Sequence, residues 1–430
     1  MGWWELYGLE GNPFSTNPIK VDSEDKDSSI EGFKVIKEIN NNLTIIKNRL
    51  MLGGETKSVV YGETGVGKTS FVNYILHEMK DKLFFAQVNV KSDWTAQLFL
   101  INTLSAILDA IEERGDKNWL DKKTFKELES VVKLNRVSGI GGGLSLGAIS
   151  GNYNQETSNP QEIPVDQLER LFEKIANQIY NNRHEEIIIV YDDLNNLLNG
   201  DGSKNSKEEE LIENFKKVFD DLKTTFQTKY VHFIFIGDYI TDLTIQVTSI
   251  RDIISKPSIF IPVMKRDEII SVIEHRVEVM RKKSQKSLKP LYEKSVLETL
   301  YDIYGGNIRN ILTRLNDFFI SHAPGEFITK DILGKNLLEE AKQQFQELNI
   351  SRRHNKIKQI MIFLAGRKEA KTGNITKAVG SNNSSNVVRY MEKDLHGLVR
   401  QTRKTAKDRY WALNPEIKWL IKNHYLDDLI

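Results

Sequence analysis

At 430 residues the chain exceeds the size at which one core usually divides, and its 40% hydrophobic and 28% charged residues describe a globular protein, not a disordered one. Zero cysteines exclude disulfide staples, thiol catalysis and cysteine-based zinc sites, and the eight histidines show no paired metal-ligand spacing. The net charge of +1 is unevenly divided: residues 351–430 carry 17 Lys and Arg against 7 Asp and Glu, so a module of net +10 follows a body of net −9, the asymmetry of a nucleic-acid footprint.

In chain order, residues 1–55 form a lead segment expected to pack on the core. Its start, Met1 to Leu6, is apolar but has no basic n-region and no apolar h-region, so it is not a secretory signal. No later run is apolar and long enough to span a bilayer, and a cytoplasmic location without membrane partners is expected. The aromatics Trp3, Trp4, Tyr7 and Phe14 suit an anchor on the core.

Residues 56–263 carry the signals of a P-loop core. The β-branched run Ser58–Tyr61 leads into Gly62, Glu63, Thr64, Gly65, Val66, Gly67, Lys68 and Thr69, and the spacing from Ser70 to Leu76 is helical. In strand, glycine loop and helix, the glycines let backbone N–H groups curl around phosphate and the helix N-terminus adds its dipole. Lys68 would reach the β- and γ-phosphates, and Thr69 would ligate magnesium. The expected cofactors are therefore ATP and Mg2+, with Gly62 to Ser70 as the nucleotide-binding residues. The chemistry also needs an acid at the end of a neighbouring buried strand, which Glu186–Asp193 supplies: Asp192 on the magnesium side and Asp193 to orient or deprotonate the attacking water. Further strands are expected at Phe84–Val90, Tyr230–Gly237 and Ser258–Pro262. Helices are expected at Trp94–Glu113, Val165–Asn182 and Glu208–Phe226. This alternation predicts an α/β fold with a parallel sheet covered on both faces. An insertion at 137–153 alternates small and aliphatic residues around Gly141–Gly143, which predicts a β-hairpin covered by its own domain, a neighbouring subunit, DNA or another protein.

Residues 264–348 read as a helical lid, with helices at Asp267–Lys282 and Glu293–Tyr304 and another opening after Gly305-Gly306. Residues 350–430 read as three helices, Asn355–Leu364, Asn374–Val379 and Ser384–Leu395, followed by a hairpin of Leu398–Thr402 and Arg409–Leu413 around a basic turn.

With these residues in place, the chain resembles the AAA+ P-loop ATPases, and among them the initiator-like clade of origin-recognition and helicase-loading proteins. The most specific piece is Gly305-Gly306-Asn307-Ile308-Arg309-Asn310-Ile311-Leu312. The resemblance implies a parallel-sheet AAA+ core with a helical lid, ATP hydrolysis, ATP-dependent homo-oligomers, and Arg309 as sensor of the γ-phosphate. Asp238, at the end of the third strand, stands where the family usually has Asn, Thr or Ser. Arg251 resembles the finger that one subunit inserts into its neighbour's site, and a plain surface arginine is the other reading. Asp193 departs from the family's usual Glu; an Asp-Asp pair is commoner in STAND signalling ATPases, and the shorter side chain implies slow hydrolysis.

The C-terminal module resembles a winged helix-turn-helix. In that geometry Asn382, Asn383, Ser385, Asn386 and Arg389 are candidate base readers, and Arg400, Arg403, Lys404, Lys407 and Arg409 candidate phosphate contacts on duplex DNA. Winged helices also dock proteins. A second resemblance, of Tyr7-Gly8-Leu9 and Asn12-Pro13-Phe14 to the opening of secretion and transposition ATPases, implies a segment beside the nucleotide base. Three readings follow: a DNA-associated AAA+ switch, a STAND-type signalling or defence ATPase with a protein-docking C-terminus, and a transposition or secretion adaptor.

Overall fold

A computed structural model describes residues 3–21, 26–52, 55–115, 117–137, 163–199, 208–282, 290–322, 326–348, 354–381, 383–404 and 408–425. The insertion expected to form a hairpin at 137–153 falls, apart from Val137 at the end of a helix, outside these residues. The chain divides into two compact units: Asn17–Val263, and Met1–Thr16 together with Met264–Ile430.

The first unit is built on a five-stranded, all-parallel sheet of β1 (Lys57–Tyr61), β2 (Leu83–Asn89), β3 (Glu186–Asp192), β4 (Val231–Gly237) and β5 (Ile259–Phe260), in the order β2-β3-β4-β1-β5. β4 and all of β3 after Glu186 are buried, as continuous Ile, Val and Phe runs require when both sheet faces are covered. Helices Ala96–Glu113 and Val165–Arg183 supply much of the cover: Phe99, Leu104, Phe172 and Ile175 are buried in one cluster with Phe84, Ile189 and Phe233. Thr95 caps the first of these by accepting from the N–H of Leu98. All five expected strands are present within a residue or two. One expectation needs correction: the acidic strand does not lie beside the strand before the glycine loop. β4 is inserted between β1 and β3, and the registers Tyr61 with Gly237 and Tyr191 with Phe235 bring the three C-terminal ends level.

The second unit contains the helices Arg266–Val279, Lys294–Tyr304, Ile308–Ser321 and Lys330–Glu347, in the stretch expected to be a lid. Gly305 and Gly306 adopt φ of 62° and 86°, which ends one helix and frees Asn307 to cap the next through the N–H of Asn310. The lead segment is divided, which corrects the expectation that all of it packs on the core. Residues 1–16 belong to this unit, where Phe14 stacks on Phe319 at 5.0 Å and Trp4 and Tyr7 pack around the same ring. Residues from Asn17 onward belong to the sheet unit.

The C-terminal part of the second unit has helices His354–Ala365, Thr372–Ala378 and Ser384–Arg389, a π turn over Tyr390–Asp394, and strands β6 (Ala370–Lys371), β7 (Val399–Lys404) and β8 (Arg409–Leu413). The strands form an antiparallel sheet in the order β6-β8-β7. Helix, strand, two helices and a hairpin thus follow one another along the chain. The closing helix Pro415–Lys422, with Asn414 as its cap, is not among the expected elements.

Candidate functional site

The glycine loop leaves β1 at Gly62. A Cβ there would lie 2.4 Å from the carbonyl oxygen of Ile261, just past β5, so the sheet edge excludes any side chain. Gly65 and Gly67 take φ of 83° and 94°, left-handed values that turn the loop into the helix Lys68–Met79. Lys68 sits at the first position of that helix. Its ammonium donates to the carbonyl oxygens of Gly62 at 3.1 Å and Glu63 at 2.8 Å, so it lies across the loop.

Thr69, the next residue, donates its hydroxyl to Oδ2 of Asp192 at 2.8 Å, across 123 residues of sequence. The other carboxylate oxygen of Asp192 accepts the N–H of Asp193 at 2.8 Å. Asp192 is only 5% exposed. Burial, with the charge of Asp193 adding to it, pushes its protonation above the ordinary carboxylate range, while Thr69 pulls the other way. The charge of Lys68 also favours the ionised form, yet burial outweighs it. Asp193 is exposed and takes φ 54°, a left-handed conformation that Asp tolerates better than most residues.

Asp238 follows β4, the strand between the loop strand and the acidic strand. Its Oδ1 accepts from the N–H and the hydroxyl of Thr241, at 2.8 and 2.9 Å, so it caps the helix Tyr239–Ile245. Arg251 lies beyond that helix, its side chain 58% exposed beside Asp252. Arg309 is exposed in the first turn of Ile308–Ser321, in the other unit from the loop. The structure thus gathers the loop, Thr69, Asp192, Asp193 and Asp238 at one edge of the sheet.

Asn73 and His77 are not among the residues that the sequence singles out, whereas Ser70 is. Ser70, Asn73 and His77, on the helix that follows the loop, hold the chain at Ile19 and Val21: Ser70 accepts from the Ile19 N–H at 3.4 Å, Asn73 donates to the Ile19 carbonyl at 2.6 Å, and Nδ1 of His77 lies 2.7 Å from the Val21 carbonyl. The signal was present as polar residues at helical spacing on a helix whose other positions, Phe71, Val72, Ile75 and Leu76, are buried.

In the C-terminal module Asn383, Ser385, Asn386 and Arg389 are exposed on or just before one short helix, with Asn383 capping it through the N–H of Ser385. Arg400 is exposed on β7. Arg409 departs from the expectation of a free phosphate contact, because it is ion-paired with Glu392 in the preceding turn; Lys371 likewise pairs with Asp408 at 3.0 Å. Arg403 and Lys404 lie on β7 with side chains outside the described residues, and Asn382 and Lys407 lie outside them altogether.

A phosphate-binding loop between a parallel strand and a helix, with a hydroxyl and a buried acid meeting at its mouth, defines a P-loop nucleotide-binding protein. The KAP family P-loop domain matches residues 35–323, and the chain belongs to that family. No curated protein matches its sequence. Solved structures similar to it over nearly their whole length and its own are the ORC2 protein of Aeropyrum pernix in ADPNP and ADP complexes (16% identity, 98% of each chain, TM-score 0.47), the ORC1 protein of the same organism in complex with DNA (13%, 93% and 96%, 0.42), and Cdc6p from Pyrobaculum aerophilum (14%, 97% of each, 0.42). Among the described residues no helix is long and apolar enough to cross a membrane.

Proposed function

We propose that the chain is an ATP-hydrolysing molecular switch that assembles with copies of itself and contacts duplex DNA through its C-terminal module. The observation that carries the nucleotide chemistry is the meeting of Thr69 and Asp192 at 2.8 Å beside Lys68. Their oxygens are the hard donors that suit Mg2+, and among the described residues no three His, Cys, Asp or Glu converge as a metal cluster. The protein would thus lend a hydroxyl and a carboxylate, and the phosphates of ATP and water the remaining ligands. Bound there, such an ion would supply positive charge to offset that of the phosphates. Lys68 would exchange its two loop carbonyls for phosphate oxygens, and Asp193, exposed at the strand end, would orient and deprotonate the attacking water.

The test is nucleotide binding and turnover by the full chain. Lys68→Ala should weaken ATP by about 10- to 100-fold, the worth of a charge-assisted contact of about 1.5–3 kcal/mol. Asp193→Asn should bind ATP as tightly as the wild type and hydrolyse it about 100- to 10,000-fold more slowly. Equal ATP affinity in wild type and Lys68→Ala would sink the assignment.

A second reading, with the C-terminal module docking protein, draws support from the ion pairs of Arg409 and Lys371, which neutralise cations that DNA would otherwise recruit.

A further inference from the structure

The closing helix Pro415–Lys422 packs on two sets of elements within the second unit: His354–Ala365 of the C-terminal part, and Lys294–Tyr304 and Lys330–Glu347 of the helical stretch before it. Toward the C-terminal part, Lys418 donates to the Arg367 carbonyl at 2.8 Å and the N–H of Asn414 to the Leu398 carbonyl at 2.7 Å. Toward the helical stretch it offers Glu416 and Trp419, three residues apart and so on one face. Glu416 accepts a hydrogen bond from the Tyr304 hydroxyl. Trp419 lies against Gly334, where an added Cβ would come 3.8 Å from its ring and 3.6 Å from the Tyr425 hydroxyl.

The carboxylate oxygen of Glu416 that Tyr304 meets also lies 3.4 Å from Nε of Arg314, an ion pair without hydrogen-bond alignment. Arg314 is buried, and its Nη2 is shared by Glu340 at 2.7 Å and Asn336 at 3.1 Å. Burial, with Glu416 second, pushes the Tyr304 phenol well above its ordinary range, so it remains a donor. If Glu416 withdraws, Arg314 keeps Glu340 and Asn336, and no buried charge is stranded. Glu416 itself is partly exposed and is then taken up by water. A joint built in this way opens without unfolding what it joins.

We propose that Glu416 is the latch of a conformational switch: seated on Tyr304 and Arg314 it makes the C-terminal part and the helices of 294–347 turn as one rigid piece, and withdrawn it leaves the C-terminal part free to turn alone. The latch lies wholly within the second unit, and it holds without nucleotide or DNA. Buried ion pairs add little net stability, so its role is geometric. A ligand that prefers one setting shifts the balance by its differential affinity alone.

The chain has no cysteine, so spin labels can be placed uniquely through Lys335→Cys on Lys330–Glu347 and Lys377→Cys on Thr372–Ala378, both exposed positions. In the full-length labelled protein the distance distribution should be a single narrow peak, which Glu416→Ala should broaden or split. Hydrogen exchange over 354–365 and 372–378 should rise in Glu416→Ala by about 10- to 100-fold, the worth of a hydrogen bond to a charged group, with exchange over 330–347 unchanged. Tyr304→Phe, which removes only the hydroxyl, should act in the same direction and provides the test if Glu416→Ala does not fold. A folded variant with the narrow peak of the unsubstituted protein overturns the proposal, as does a broad distribution in the unsubstituted protein. Exchange that rises equally over both sets of helices makes Glu416 a support of the whole unit and overturns the latch.

Discussion

His232 is fully buried on β4, where its Nδ1 accepts the N–H of Thr56 at 3.1 Å and its Nε2 lies 2.6 Å from Glu186. Because one nitrogen accepts a backbone bond, the ring is neutral with its proton toward Glu186. Burial holds its protonation below the ordinary value of 6.5, although Glu186 pulls the other way. A histidine lowered in the folded state contributes its full stability above the unfolded value and loses it as pH falls, since the unfolded chain binds the proton first. Thermal unfolding between about pH 7 and 5 should therefore show a steeper loss of stability in wild type than in His232→Gln; parallel pH profiles would refute this. Gly62 is the other residue whose neighbours dictate its identity. Gly62→Ala forces a Cβ onto the Ile261 carbonyl and should cost about 1–3 kcal/mol, read as a lower denaturant midpoint, together with loss of ATP binding. An alanine variant of wild-type stability would mean that the sheet edge yields more readily than its geometry implies.

Elements acquire their roles from the strand beside them. With β4 between β1 and β3, the residue that follows β4 stands between the phosphate loop and the acidic pair, and here that residue is Asp238, committed to capping the helix Tyr239–Ile245. Beyond that helix Arg251 is exposed beside an acid, a disposition that serves a plain surface residue and a finger equally. The two differ in one outcome. If Arg251 completes a neighbour's site, Arg251→Ala subunits mixed with Lys68→Ala subunits should recover part of the ATPase rate, since each then supplies what the other lacks. No recovery, with normal hydrolysis by Arg251→Ala alone, would make it a surface residue.

Over the whole molecule the basic residues fall at the C-terminal end of the second unit, where the described residues carry helices and a three-stranded antiparallel sheet. If its hairpin lies along phosphate, DNA binding by the full chain should fall steeply with salt. Replacing Arg403, Lys404 and Lys407 together by Ala should then reduce the slope of log affinity against log salt by up to about 3 units, at about 0.9 per contact, for all sequences alike. Arg389→Ala, on the exposed helix, should instead alter preference between sequences. Fluorescence anisotropy at several salt concentrations reads both. No affinity of the folded protein for duplex DNA at about 50 mM salt would transfer the module to protein docking.

The sequence by itself determined the glycine loop with its strand and helix, the acidic strand end, the Gly-Gly step before Arg309, and the helix order of the basic module. Each is a contiguous signal: a run of β-branched residues, a helical period or a glycine at a positive φ reports on the backbone that carries it. The tertiary structure decided the rest. That β4 separates β1 from β3, that residues 1–16 join the second unit while Ile19 lies along the loop helix, and that Thr69 meets Asp192 all depend on pairings between distant segments. Local periodicity states which face of an element is buried. It does not state against what, because the choice among apolar surfaces of similar character is made by the packing of the whole core.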